Sequence, residues 1–168
     1  MKTLRQSCDI DSNVRSPSRY LEAAHLLYET TIFDFSWNLW LISNFRKVIS
    51  ACHFACISHV NIAMVGTGET LTKRADKDNN NGQTLQWFLI WETLAAMDNL
   101  QWLRFEVMLL AHDVYVRWWT ANLERVLRPV KMVTKPAHFE LILPFDVGDW
   151  AQELPCQVIQ SEAKDAWK

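Results

Sequence analysis

Residues 99–110, Asn-Leu-Gln-Trp-Leu-Arg-Phe-Glu-Val-Met-Leu-Leu, constrain the fold more than any other stretch because they alternate in character along the chain. Successive side chains of a strand point to opposite faces, so Leu103, Phe105, Val107 and Leu109 share one side and Trp102, Arg104, Glu106 and Met108 the other. A strand of this kind buries one face. The pattern recurs at residues 57–65, where Val60, Ile62 and Met64 oppose His59 and Asn61. It recurs again at 138–145, where Phe139, Leu141 and Leu143 oppose His138, Glu140 and Ile142.

Helical spacing fills the intervals. Ser16-Pro17 resembles an N-cap followed by proline in the first helical position, and Tyr20, Leu21, Ala24, Leu27 and Tyr28 form an apolar stripe over 17–29. Residues 30–35 are β-branched and aromatic and read as a short strand with Asp34 on its polar side. Trp37, Trp40, Leu41, Phe45, Val48 and Ile49 predict a helix from Trp37 to about Ala51. Thr84 starts another through Met97, with Leu85, Phe88, Leu89, Trp91 and Leu94 expected to be buried. Asp113 caps a last helix over 114–128, closed by Pro129.

Every strand-to-strand link thus contains a helix, which suits right-handed crossovers and a mainly parallel sheet. A sheet covered on both faces has continuously apolar strands; these alternate, so the helices are expected on a single face. The expected fold class is α/β, a mainly parallel four-stranded sheet with leucine-rich-repeat-like βα units. Residues 57, 60, 62 and 64 align with 100, 103, 105 and 107 at a constant shift of 43, and Leu103, Phe105 and Val107 with Phe139, Leu141 and Leu143 at 36.

A chain of 168 residues with 49% apolar and 12% aromatic content can bury one substantial core. The expected organisation is a flexible lead-in at 1–15, a single domain at 16–148 with a mobile loop at 66–83, and a polar tail at 149–168. The nine tryptophans lie mostly in periodic segments and read as packing. A net charge of −2 gives no footprint for nucleic acid or an anionic membrane. The longest weakly polar run, 48–65, carries His53, His59 and Asn61 and makes a poor bilayer span. Without a basic segment leading into an apolar one at the N-terminus, the default location is intracellular, cytoplasmic or nuclear. Four irregularly placed cysteines, Cys8, Cys52, Cys56 and Cys156, are expected to be reduced.

Chemical motifs fail on spacing. Residues 66–73, Gly-Thr-Gly-Glu-Thr-Leu-Thr-Lys, lack the Gly-Lys-Ser/Thr of a Walker loop and carry Leu71 where a dinucleotide loop needs glycine. Asp76, Asp78 and Asn80 alternate oxygen ligands, but a calcium loop would need glycine at Asn81 and glutamate at Trp87. Cys52, His53, Cys56 and His59 are close in sequence, yet no second pair accompanies them and the surroundings are apolar, so small buried cysteines are preferred over zinc. Neither His25 nor His112 stands in a context that marks an activated nucleophile. No cofactor and no metal is expected.

The succession Tyr20, Glu22-Ala23, Leu26-Leu27-Tyr28, Phe33-Asp34-Phe35, a helix, and then Ile57-Ser-His-Val-Asn-Ile62 resembles a family of fungal proteins with an uncharacterised domain. Leu100-Gln-Trp-Leu-Arg-Phe105 and the strand at Phe139 continue the likeness, so it covers residues 19–145. The resemblance implies a fungal, intracellular α/β domain without an established activity, often preceded by an F-box-like or EXR-type segment. Residues 1–15 match no Leu-Pro-Glu-Ile-Arg helix of that type, which puts an adaptor role in doubt and suggests a shortened member or a gene model missing its start.

The open sheet face remains as the candidate site, formed by His59, Asn61, Trp102, Arg104, Glu106, His138 and Glu140 with Asp34 beside them. Its ordinary reading is a ladder of surface ion pairs, Arg104 with Glu106 or Glu140. The sharper reading is a non-enzymatic protein-interaction surface anchored by Trp102 and Arg104. The alternatives are a small enzyme or ligand-binding domain using His59, His138 and Glu140, and a truncated F-box-like adaptor fragment.

Overall fold

A computed structural model describes residues 17–36, 38–66, 82–109 and 112–161 of the chain. The lead-in at 1–15, Trp37, the motifs within 67–81 and residues 162–168 lie outside the described residues. In chain order the elements are α1 (Pro17–Thr30), β1 (Ile32–Asp34), α2 (Leu39–Val48), α3 (Ala51–Cys56), β2 (His59–Gly66), α4 (Gly82–Ala95) and β3 (Trp102–Leu109). They continue with α5 (His112–Ala121), α6 (Leu123–Leu127), a 3₁₀ turn (Arg128–Met132), β4 (His138–Leu143), α7 (Trp150–Glu153) and β5 (Gln157–Gln160).

The strands form one sheet in the order β1-β2-β3-β4-β5, and every neighbouring pair is parallel. Because spatial order follows chain order, the sheet has no point where the winding reverses. Crossovers of one hand then keep their helices on the same side. Burial along β3 obeys this: Leu103, Phe105 and Val107 are fully buried, whereas Trp102, Arg104, Glu106 and Met108 are half-buried.

The strand count corrects the four-stranded expectation. Residues 150–160, expected within a polar tail, form α7 and β5, and Leu141 pairs with Val158 and Ile142 with Ile159. Gln157-Val-Ile-Gln160 is β-branched at its centre, and Leu154, Cys156 and Val158 pack on the core, so this segment buries apolar surface the expectation left in solvent. The repeat expectation changes meaning as well. The shift of 43 is the pairing register of β2 on β3, His59 opposite Trp102, and the shift of 36 is that of β3 on β4, Trp102 opposite His138. At the edges the offsets are 27, Ile32 opposite His59, and 17, Glu140 opposite Gln157. The offsets are unequal, so no fixed period is shown for these βα units.

Two expected helices are divided by capping residues. The segment from 37 to 51 breaks after Val48: Ile49 and Ser50 are extended, and the Ser50 hydroxyl accepts the backbone N–H of His53 at 3.2 Å, capping α3. A serine that satisfies a free N–H starts a new helix more cheaply than it continues an old one. The segment from 114 to 128 breaks at Asn122, whose side chain donates back to the Trp118 carbonyl at 2.8 Å. Pro129 then sits in the first turn of the 3₁₀ helix, where it lacks no needed donor, instead of ending the chain's helical run.

The helix faces also differ from expectation. Along α2 the core takes Leu39, Ile42, Phe45 and Ile49, leaving Trp40, Leu41 and Val48 exposed. On α4 it takes Trp87, Ile90, Trp91 and Leu94, and Phe88 is 43% exposed. Leu27 of α1 is exposed while Tyr28 stacks on Phe33 and on His53, with centroids 5.4 and 4.7 Å apart. The centre of the core is aromatic: Trp91 stacks on Phe105 at 4.6 Å, and Trp87 stands nearly perpendicular to Trp91, Phe105 and Trp119. The Trp87 indole N–H donates to the Val126 carbonyl at 3.0 Å and ties α4 to α6. The indole nitrogens of Trp91 and Trp119 are buried without an acceptor.

Candidate functional site on the open sheet face

Pairing registers arrange the uncovered side chains in rungs across the sheet, with strands about 4.8 Å apart. The first rung is Ile32, His59, Trp102 and His138. The second is Asp34, Asn61, Arg104, Glu140 and Gln157, and the third is Ala63, Glu106, Ile142 and Ile159. All seven residues singled out in the sequence lie on these rungs. Ile142 shares their side but is only 7% exposed, so the face grades from polar to apolar toward the carboxyl ends of the strands.

The first rung is a row of rings. Trp102 lies parallel to His138, interplanar angle 6° and centroids 6.1 Å apart, and His59 follows on its other side at 6.4 Å. Ser58, which sequence reading passed over, fixes His59. Its hydroxyl donates to the Glu29 backbone carbonyl, and the same oxygen lies 2.6 Å from His59 Nδ1. A carbonyl only accepts, so the serine proton is committed to Glu29, and Nδ1 must carry the hydrogen that reaches Ser58. His59 Nε2 is then the acceptor of the neutral ring. The adjacent Ser58 and His59 are therefore not a nucleophile and its base, because the hydroxyl proton points away from the imidazole.

The second and third rungs hold the charges. Arg104 Nη2 pairs with Glu106 Oε2 along its own strand at 3.2 Å, while Glu140 lies 2.9 Å from His138 Nε2. Of the two partners expected for Arg104, Glu106 is the one engaged. Arg104 Nε is buried and has no acceptor. Asp34 accepts the Ser36 N–H at 2.8 Å, and hydrogen bonds from the Ser36 side chain and backbone hold its carboxyl below the usual range, assisted by Asn61 and opposed by burial. The Ser36 hydroxyl in turn accepts the Ala63 N–H at 3.1 Å, which closes the end of β1 onto β2.

The other candidates do not converge. His53 stacks on Tyr28, the Cys56 thiol donates to the Cys52 carbonyl at 3.0 Å, and His59 belongs to the sheet face. Cys56 and Cys156 are free thiols. Burial pushes the Cys156 thiol up to about 12 and, with Glu29, raises that of Cys56, which makes both poor nucleophiles at neutral pH. His25 pairs with Glu29 on α1 at 3.5 Å. Among the described residues no three or more His, Cys, Asp or Glu side chains gather as a metal site, and no helix is long and apolar enough to cross a membrane.

Ser58, Gln157 and Ile159 were absent from the sequence-based site. The first has no signal in the sequence beyond its place before His59; the other two follow from recognising the Val158-Ile159 strand. No match was found among curated proteins or among solved structures. A protein-family profile described as a domain of unknown function, DUF7730, matches residues 11–161, a span that includes all five strands. The chain belongs to the DUF7730 family.

Proposed function

We propose that this domain is a non-enzymatic protein-interaction module that binds through the open face of its sheet. One observation carries the reading: Trp102 and Arg104, residue types enriched at binding hot spots, stand half-exposed at the middle of a five-stranded sheet with His59, Asn61, His138 and Glu140 beside them. The unpartnered Arg104 Nε adds a donor not saturated within the fold. Three carboxylates, Asp34, Glu106 and Glu140, against one arginine favour a protein partner over nucleic acid.

The rival reading, a small enzyme or ligand-binding domain, draws on the His138–Glu140 pair at 2.9 Å. Against it, the Trp102 ring lies between His59 and His138, so the two imidazoles do not face each other. The fungal and F-box-associated character belongs to this proposal too, supported by the resemblance over residues 19–145.

The test is affinity capture from the host's extract with the tagged chain, comparing wild type with Trp102→Ala and with Arg104→Ala combined with Glu106→Ala. Loss of the captured proteins is the expected result. Undiminished recovery by both variants sinks the reading.

A further inference from the structure

Hydrogen-bond polarity on the open face identifies the kind of partner it suits. His59 donates through Nδ1 to Ser58, which leaves Nε2 as an acceptor. A carboxylate only accepts, so His138 donates through Nε2 to Glu140, and its Nδ1 is the remaining acceptor of the neutral ring. Between them Trp102 completes the row of rings. Asp34, Glu106 and Glu140 supply three carboxylates on the following rungs against the single guanidinium of Arg104, which Glu106 already engages. The face is thus rich in acceptors and net negative while the imidazoles are neutral.

We infer that the open face docks a basic segment of a partner protein, seating an arginine or lysine side chain against the His59–Trp102–His138 row, and that protonation of the two histidines releases it. This rests on the interaction reading above and specifies the partner's chemistry. Protonation converts His59 Nε2 and His138 Nδ1 from acceptors to donors and adds two positive charges, cancelling the face's excess of carboxylates. On the sheet the charged residues nearest His59 are Asp34 on β1 and Arg104 on β3, one rung on, while Glu29 of α1 reaches it only through its backbone carbonyl and Ser58. Those nearest His138 on the sheet are Glu140 on its own strand and Arg104 on β3. On the outer side β5 brings uncharged Gln157.

The experiment is fluorescence anisotropy with the full chain and short labelled peptides that alternate serine with arginine, lysine or glutamate. The basic peptides should bind at about pH 7.5 and weaken about tenfold at about pH 5.5, with the glutamate peptide weak at both. Combining His59→Gln with His138→Gln should remove the pH dependence, leaving the ratio of affinities at the two pH values near one whatever the affinity itself. Equal binding of basic and acidic peptides, no binding of the basic ones, or a pH response that survives the double substitution each overturns the inference. The charge and pH comparisons use wild-type protein and stand whether or not a variant folds. If Trp102→Ala loses captured proteins from extract while basic peptides ignore the wild type, this inference falls and the interaction reading stands. Basic peptides that bind indifferently to every open-face substitution sink both.

Discussion

The two faces of β3 are built from the same eight residues, and they answer to different physics. On the covered side Leu103, Phe105 and Val107 are buried in the core, where Phe105 packs on Trp87 and Trp91, and what counts there is volume and fit. On the open side Trp102, Arg104 and Glu106 keep part of their surface in water and form one exposed ion pair and a row of rings. The contrast implies that stability resides in one face, while the other is free to carry recognition. Substitutions one residue apart should separate the two.

The largest effect is expected from Phe105→Ala. Removing a ring that stacks on Trp91 in a fully buried site should cost about 3–5 kcal/mol in urea unfolding, whereas Arg104→Ala next to it should cost about 1 kcal/mol or less. Similar losses for the two would break the contrast. Within the covered face, Trp87→Phe deprives the Val126 carbonyl of its donor and should cost about 1–3 kcal/mol beyond the change in volume. Trp91→Phe removes an indole N–H that has no acceptor, so denaturant titration should find it milder than Trp87→Phe.

On the open face, a double-mutant cycle over Arg104 and Glu106 should return a coupling of about 0–1 kcal/mol, since both side chains are partly in solvent. A coupling of several kcal/mol would mean the pair is structural. Smallest is Asp34, an exposed carboxylate whose folded value is depressed by Ser36. Its contribution is complete above the ordinary carboxylate range and is lost as pH falls through that range and the depressed folded value. Asp34→Asn should therefore lower stability slightly at neutral pH, with the difference from wild type vanishing as pH falls through the acid limb.

How much of this was legible in the chain depended on the period of each segment. In β2, β3 and β4 a period of two admits only two phases, and His59, Arg104 and Glu140 mark the polar one, so faces and even lateral registers could be read. In α2 and α4 apolar residues encircle the helix. Trp40, Leu41 and Val48 have helical spacing as good as Leu39, Ile42 and Phe45, and Phe88 as good as Trp87, so periodicity could not choose the buried stripe. The choice fell to the sheet, which takes whichever stripe the connecting turns rotate toward it. Short elements were hidden for a different reason: α3 rests on one serine cap and β5 on pairing with β4, and neither has enough residues to show a period.

The sequence by itself determined a parallel α/β layer with one polar face and the identity of the residues on it, because strand alternation is a local property. Only the tertiary structure decided that Trp102 lies between two imidazoles, that Arg104 pairs with Glu106 and leaves Nε unmatched, and that Ser58 selects the His59 tautomer. Those facts depend on which strands lie side by side and where a helix carbonyl arrives. They are consequences of long-range packing that no local pattern encodes.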